Sequence, residues 1–139
     1  LSGIKLTTLE TFQYNLVVPN NSQLADKKEI DLFEIGDIPL IMRHKRFLSR
    51  TALDQISNKI HFKPKKKLIV DSIDATLQLV KQNMGVGFLM DIAVSNYPGV
   101  KSIPLIPSQQ VYCYSTLGIR EGFMPNEIQQ KCLKILKGF

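Results

Sequence analysis

The feature that most constrains the fold is the alternation of short apolar runs with segments of helical periodicity along the whole chain. Runs rich in β-branched and aromatic residues, at 12–19 and 86–90, have the length and composition of buried strands. Between such runs, apolar residues recur at helical spacing, as in 47–58 and 73–84. Strands that alternate with helices predict an α/β protein with a mainly parallel sheet.

The same pattern predicts the remaining elements. Further strands are expected at 38–42, 67–70, 100–106 and 109–119. A helical turn closed by Gly36 is expected at 31–36, a short helix at 91–97 and a last helix at 126–137. We expect Gly85 to end helix 73–84 in the left-handed region, and the last helix to share one apolar face formed by Ile128, Cys132, Ile135 and Leu136.

The composition is that of a globular protein that attracts anions. The chain has 139 residues, 44% of them apolar, and a formal net charge of +6. It has no run approaching the roughly 18 apolar residues of a membrane helix and no signal-peptide pattern at its start, so we expect a soluble chain. Cys113 and Cys132 lack the spacing of a zinc site, and we expect two buried thiols in a reducing compartment.

A basic stretch follows the strand predicted at 38–42. It consists of Arg43, His44, Lys45 and Arg46. Ligands of open α/β sheets bind at the carboxyl ends of strands, where helix N-termini offer unpaired amides, so this stretch stands at a candidate site. A solvated loop is the competing interpretation. Two further residues also have a purely structural interpretation: Ser49 as the cap of the next helix, and Arg50 as the partner of a structural carboxylate.

A second polar pair follows the strand predicted at 67–70. Ser72 is suited to cap the next helix, and Asp71 and Asp74 would favour the positive end of its dipole. Asp71 and Ser72 could serve only to stabilise the start of the helix, or they could also contact a ligand. The lysine-rich run at 63–67 lacks the interleaved aromatic residues of a single-strand binder, and we interpret it as a solvated turn before a core strand.

Three stretches carry a resemblance to a known family. They are "YNLVVPNNSQLADKKEIDLFEIGDIPLIM", "FLSRTALDQI" and "VDSIDATLQLVKQNMGVGFLMDIAV". Together they resemble the effector-binding domain of LysR-type transcriptional regulators, with its Val-Val-Pro strand end, its Arg-x-x-Leu-Asp helix and its Gly-Val-Gly before a strand. The ordered match runs from about Leu9 to about Leu136.

The resemblance implies a type 2 periplasmic-binding-protein-like fold with two lobes and a small effector bound between them. It implies one complete lobe plus part of the second: part of lobe I at 1–10, lobe II at 11–116, and a return to lobe I with the C-terminal helix at 117–139. The DNA-binding helix-turn-helix and the first elements of lobe I would precede Leu1, so we expect an N-terminally truncated chain.

The resemblance also implies site residues. Those expected to contact the effector are Met42, Arg43, His44, Phe47, Ser49, Asp71, Ser72 and Gly87. We expect a small anionic effector, because Arg43 can offer a planar, two-pronged donor and His44 can take up a proton near neutral pH, strengthening anion binding as the pH falls. Dimerisation is expected through helix 73–84, which carries Leu77, Leu79 and Val80 on more than one face.

No enzyme is expected. The sequence has no nucleophile elbow and no phosphate loop, and His44 and His61 are not at metal-ligand spacing, so we predict no catalytic residue, metal or cofactor. The first hypothesis is the ligand-sensing and dimerisation domain of a cytoplasmic LysR-type regulator, a homodimer or homotetramer that contacts DNA through the missing domain. The alternative is a solute-binding lobe of a transport system with the same fold. A direct nucleic-acid binder, suggested by charge alone, is the third.

Overall fold

The structure is a computed structural model that describes residues 3–136. The strands within these residues are β1 (Ile4–Pro19), β2 (Leu40–Met42), β3 (Lys67–Ile69), β4 (Val86–Met90), β5 (Val100–Pro104) and β6 (Tyr112–Arg120). The α-helices are α1 (Leu48–Ile60), α2 (Ile73–Lys81) and α3 (Glu127–Leu136). Short 3-10 helices lie at Gln23–Asp26, Leu32–Ile35, Asp91–Val94 and Pro107–Gln109. None of the helices in this part of the chain combines the length and apolar character needed to cross a membrane.

The chain divides into two compact units. Unit 2 is Gln13–Tyr112, and unit 1 is formed by the two ends of the chain, Leu1–Phe12 and Cys113–Phe139. The division into lobes at residues 10 and 116 stays a prediction.

Unit 2 is built on a sheet in the order β3-β2-β4-β1-β5. Strand β2 runs parallel to both β3 and β4, whereas β1 runs antiparallel to β4 and β5. All strands of this path except β1 therefore point the same way. The predicted α/β fold is confirmed, with a mixed sheet whose core is mostly parallel.

The core of unit 2 explains why the sheet and α2 hold together. Val17 and Ile41 of the sheet pack in one buried cluster with Leu77 and Val80 of α2. Leu77 is 2% exposed and Val80 is fully buried. Each such aliphatic side chain stabilises the fold by about 1.5–3 kcal/mol through the apolar area it removes from water.

The end of α2 corrects one prediction. The helix ends at Lys81, and the left-handed residue that follows is Asn83, with a φ of 62°, rather than Gly85. Gly85 has a different role: a Cβ atom there would lie 2.6 Å from the carbonyl oxygen of Pro39. The glycine therefore permits the backbone at the start of β4 to approach the chain that leads into β2.

Two burial predictions are wrong. Strand β3 is an exposed edge strand rather than a core strand, with Leu68 38% and Ile69 48% exposed, because it is the last strand of the sheet path. Cys113 is half-buried and Cys132 is exposed, so neither is a buried thiol. Helix α3 has no buried residue, and Lys137, its predicted end, lies outside the described residues.

Candidate functional site

The carboxyl ends of β2 and β3 meet at one edge of the sheet. Met42 and Ile69 are register partners in the parallel pair, and the amide of Val70 donates to the carbonyl oxygen of Met42 at 2.9 Å. The segments that follow, 43–47 and 70–72, therefore leave the sheet side by side. We call the surface formed by residues 43–47 and 71–72 the strand-end edge.

Asp71 joins the two segments of the strand-end edge. Its carbonyl oxygen accepts from Nε of Arg43 at 3.1 Å and from Nη2 of Arg43 at 2.7 Å. Its carboxylate accepts from the amide of His44 at 3.0 Å and from Nη2 of Arg46 at 3.0 Å. Four hydrogen bonds to one residue thus fix the conformation of the basic stretch.

Arg43 is held more tightly than a free ligand-binding arginine would be. Its guanidinium lies over the ring of Phe47, with 3.7 Å between the guanidinium carbon and the ring centroid. Arg43 was expected to offer a two-pronged donor to an effector, but its donors Nε and Nη2 both bond to Asp71 within the chain. Nη1 donates to no atom of residues 3–136, so it is the donor left for another partner.

Arg50 supports the strand-end edge from α1. Its Nη1 donates to the carbonyl oxygen of Arg43 at 3.1 Å, and its Nε donates to the Asp54 carboxylate at 3.0 Å. The Arg50 side chain is only 12% exposed. The interpretation of Arg50 as the partner of a structural carboxylate is confirmed.

The two candidate helix caps have different outcomes. Ser72 caps α2, because its hydroxyl accepts from the amide of Ala75 at 3.2 Å. Ser49 does not cap α1: the N-cap position is Phe47, and Ser49 is the second residue of the helix. Ser49 is buried, and its hydroxyl has no hydrogen-bond partner within the described part of the chain.

Met42 and Gly87 belong to the packed interior rather than to the surface of the edge. Met42 is 5% exposed, and Gly87 lies in β4 opposite Ile41 and Val17. A Cβ atom at Gly87 would lie 3.0 Å from Cγ2 of Thr76, so α2 packs directly on this position. The expected effector residues that are not buried at the strand-end edge are Arg43, His44, Phe47, Asp71 and Ser72.

Arg46 was not among the expected site residues, although it makes an ion pair with Asp71 and lies 5.0 Å from the centroid of the Phe47 ring. The indication in the sequence that Arg46 could belong to the site was its position in the basic stretch. Its partner Asp71 stands 25 positions away, and no local pattern links the two. His44 is exposed, and its Nδ1 accepts from the amide of Arg46 at 3.4 Å.

The residues expected to mediate dimerisation are not equivalent. Leu77 and Val80 are occupied in the core of unit 2, which corrects the expectation that they offer surface to another chain. Leu79 is partly exposed and is the member of this set that retains accessible area. A role of α2 in dimerisation stays a prediction.

The strand-end edge offers charged groups and hydrogen-bond donors for binding. The described residues contain no group of three or more histidine, cysteine, aspartate or glutamate side chains that could hold a metal ion. The positive groups of Arg43 and Arg46 both bond to Asp71, which supplies a single carboxylate. An arrangement of this kind favours a small anion.

Comparison with known proteins gives the family. The family model described as "LysR substrate binding domain" matches residues 1–119. The malolactic fermentation system transcriptional activator of Lactococcus lactis subsp. lactis (strain IL1403) is 20% identical over 131 residues, which are 92% of this chain and 45% of that protein. The chain thus spans less than half the length of this curated relative.

Solved structures share the fold. The regulatory domain of CcmR from Synechocystis PCC6803, in complex with 2-PG, superposes with a TM-score of 0.80 and 17% identity, over 96% of this chain and 65% of that chain. The effector-binding domain of QuiR, in complex with shikimate, gives a TM-score of 0.71 and 22% identity, over 97% and 64%. These likenesses confirm the predicted periplasmic-binding-protein-like fold.

The family match decides between the hypotheses drawn from the sequence. It covers well over half of the chain, and it favours a regulator domain over a transport lobe. The family is one of ligand-binding domains of transcriptional regulators and not a family of enzymes. The chain belongs to the LysR substrate-binding domain family.

Proposed function

We propose that this chain senses a small anionic effector at the strand-end edge and passes the signal on within a LysR-type transcriptional regulator. The observation that carries the proposal is the network around Asp71, which ties two sequence-distant segments into one surface with four hydrogen bonds. An effector that contacts either segment can therefore alter the other.

Charge supports an anion as the effector. Two cationic side chains, Arg43 and Arg46, bond to Asp71, whose single carboxylate leaves a net charge of +1 among these three residues (two minus one). The N-terminus of α2 begins beside them at Ile73, and its dipole adds partial positive charge. The similar domains of CcmR and QuiR are described in complex with 2-PG and with shikimate, which is consistent with a small ligand here.

The rest of the regulator is also a proposal. We infer that the full-length protein is a cytoplasmic homodimer or homotetramer and binds DNA through a domain outside this sequence. The support is the curated relative, a transcriptional activator of which the chain spans 45%. In this proposal, Leu79 and the exposed face of α2 contribute to the contact between chains.

A thermal-shift screen tests the sensing proposal. The chain is heated with a panel of small carboxylates, sulfates and phosphates, and a ligand at about 100 times its Kd stabilises the native state by about 2.7 kcal/mol. We expect at least one anion to raise the Tm of the unmodified chain and of Lys28→Ala, an exposed control. The same anion should raise the Tm of Arg43→Ala less. If every anion that raises the Tm raises it equally in all three proteins, the proposed site is wrong.

A further inference from the structure

A basic cavity lies on unit 2, and Lys45 of the basic stretch forms part of its lining. It has a volume of about 320 Å³ and lies between α1 and the segment 62–67 that returns the chain to the sheet. We propose that this cavity, the α1 cleft, binds a small metabolite that carries two negative charges, a phosphate monoester or a dicarboxylate. The α1 cleft shares Lys45 with the strand-end edge, and its other lining residues lie outside that edge.

The charge of the α1 cleft is high and largely unneutralised. It is lined by Lys45, Arg50, Lys63 and Lys67 and by one carboxylate, Asp54. Four cations minus one anion give +3, half of the formal net charge of +6 of the whole chain. Asp54 is paired with Arg50, and within residues 3–136 none of the three lysines lies within ion-pair distance of a carboxylate. Such a concentration of charge in a cavity attracts anions.

The wall opposite α1 is rigid. The chain leaves α1 through His61, whose left-handed φ of 57° turns the backbone sharply, and the amide of Phe62 donates to the carbonyl oxygen of Ser57 at 2.9 Å. Phe62 is 6% exposed and packs edge-to-face on Phe33 at 5.3 Å between ring centroids. Lys67 begins β3 and is paired with Leu40. Lys63 and Lys67 are therefore mounted on fixed backbone, which lowers the entropy lost on binding.

Arg50 supplies an anchor at the inner side of the cleft. Its hydrogen bonds to Asp54 and to the Arg43 carbonyl hold the guanidinium in place, and Nη2 donates to no atom in the described part of the chain. A fixed arginine donor beside three lysines without ion-pair partners among residues 3–136 suits an anionic head group. The buried side chains Leu53 and Phe62 also line the cleft and can cover a short carbon skeleton.

The size of the cleft argues for a small molecule. About 320 Å³ is at the lower end of the roughly 300–1,000 Å³ range of small-molecule sites. A concave site of this size fits a few non-hydrogen atoms around one or two anionic groups, whereas duplex DNA needs an extended row of phosphate contacts.

The test is a titration of the ¹⁵N-labelled chain by NMR, with sodium phosphate and, separately, sodium succinate at low ionic strength. Three proteins are compared: the unmodified chain, Lys63→Gln/Lys67→Gln, and the control Lys5→Gln/Lys28→Gln, in which two exposed lysines outside the cleft make the same change in net charge. We expect saturable amide shifts at Ser57 and 62–67. The cleft variant should bind about tenfold more weakly and the control within about twofold.

The two anions separate the ligand classes: saturation by phosphate alone indicates a phosphate monoester, and saturation by succinate alone indicates a dicarboxylate. The proposal would be overturned by an equal loss of affinity in both double variants, by saturable binding of neither anion, or by tighter binding of a short DNA duplex at the same residues. Shifts confined to 43–47 and 71–75 would also overturn it, while supporting the strand-end edge.

Discussion

At the scale of single residues, the strand-end edge depends on hydrogen bonds that a local pattern cannot reveal. The sequence placed Asp71 and Ser72 after a strand and before a helix, and the capping role of Ser72 follows from that position alone. The role of Asp71 did not, because its partners Arg43, His44 and Arg46 lie 25 to 28 positions earlier. Only the parallel pairing of β2 with β3 brings them together.

Replacing Ser72 by alanine tests the cap. Ser72→Ala removes the acceptor for the Ala75 amide at the start of α2, so the free energy of unfolding should fall by about 0.5–2 kcal/mol. Ser108→Ala, an exposed serine outside the α-helices, is the control and should stay within about 0.5 kcal/mol of the parent. Urea unfolding measures both. Equal effects of the two substitutions would show that the cap contributes nothing specific.

Glu34 predicts a dependence of stability on pH. The hydrogen bond from Lys27, followed by that from the Asp31 amide, lowers the pKa of the Glu34 carboxyl below its ordinary value of 4.5. The native state therefore favours the charged form. The resulting stability is present above the unfolded-state pKa and is lost as the pH falls through the lowered native pKa.

The variant Glu34→Gln keeps an oxygen that can accept from the Asp31 amide but removes the charge. Because the side chains of Lys27 and Glu34 are 44% and 35% exposed, we expect a loss of less than about 0.5 kcal/mol at neutral pH, and no difference from the parent at about pH 2. Unfolding at both pH values, with exposed Glu29→Gln as control, measures the change. A deficit that persists undiminished in acid would contradict a charge-based origin.

At the scale of elements, the periodicity of apolar residues predicted the strands and helices well and predicted burial less well. A strand in the middle of a sheet and one at its edge can have the same short apolar pattern, so β3 was expected in the core. Which strand lies at the edge depends on the order β3-β2-β4-β1-β5, a long-range property. The role of Gly85 was missed for the same reason, because its neighbour Pro39 is distant in sequence.

Gly85→Ala tests the close approach of β4 to the chain before β2. The new Cβ atom would lie 2.6 Å from the carbonyl oxygen of Pro39, a backbone atom that also accepts from the amide of Val86 and cannot move alone. We expect a loss of about 1–3 kcal/mol in the free energy of unfolding. Gly118→Ala is the control, since its Cβ atom would meet only ordinary contacts at 3.4 and 3.5 Å. A tolerated Gly85→Ala would contradict the packing described.

At the scale of the whole molecule, the family and the fold could be predicted from the sequence because both depend on the order of many elements. The residues that contact another chain could not be predicted in the same way. Leu77 and Val80 were expected at an interface, because the apolar pattern cannot distinguish a helix buried by its own sheet from one buried by another chain. The proposed contact between chains therefore rests on the outward face of α2 and on Leu79.

Two substitutions in α2 separate folding from assembly in the full-length protein. Leu77→Ala creates a cavity in the core of unit 2 and should lower the free energy of unfolding by about 2–5 kcal/mol. Leu79→Lys should lower the free energy of unfolding less than Leu77→Ala, because Leu79 is only partly buried, but it should weaken self-association, measured by sedimentation equilibrium at micromolar concentration. A full-length protein that sediments as a monomer, or one whose association ignores Leu79→Lys, would contradict the dimerisation proposal.

The central claim is that the strand-end edge binds a small anionic effector, and calorimetric titration of an anion found in the thermal-shift screen tests it most directly. Arg43→Ala removes the free Nη1 donor, and His44→Ala removes the exposed imidazole of the next residue. We predict that at least one of the two weakens binding by more than about threefold, about 0.7 kcal/mol, while Lys28→Ala does not. If an effector binds and neither substitution weakens it beyond that limit, the basic stretch is a solvated loop and the site lies elsewhere.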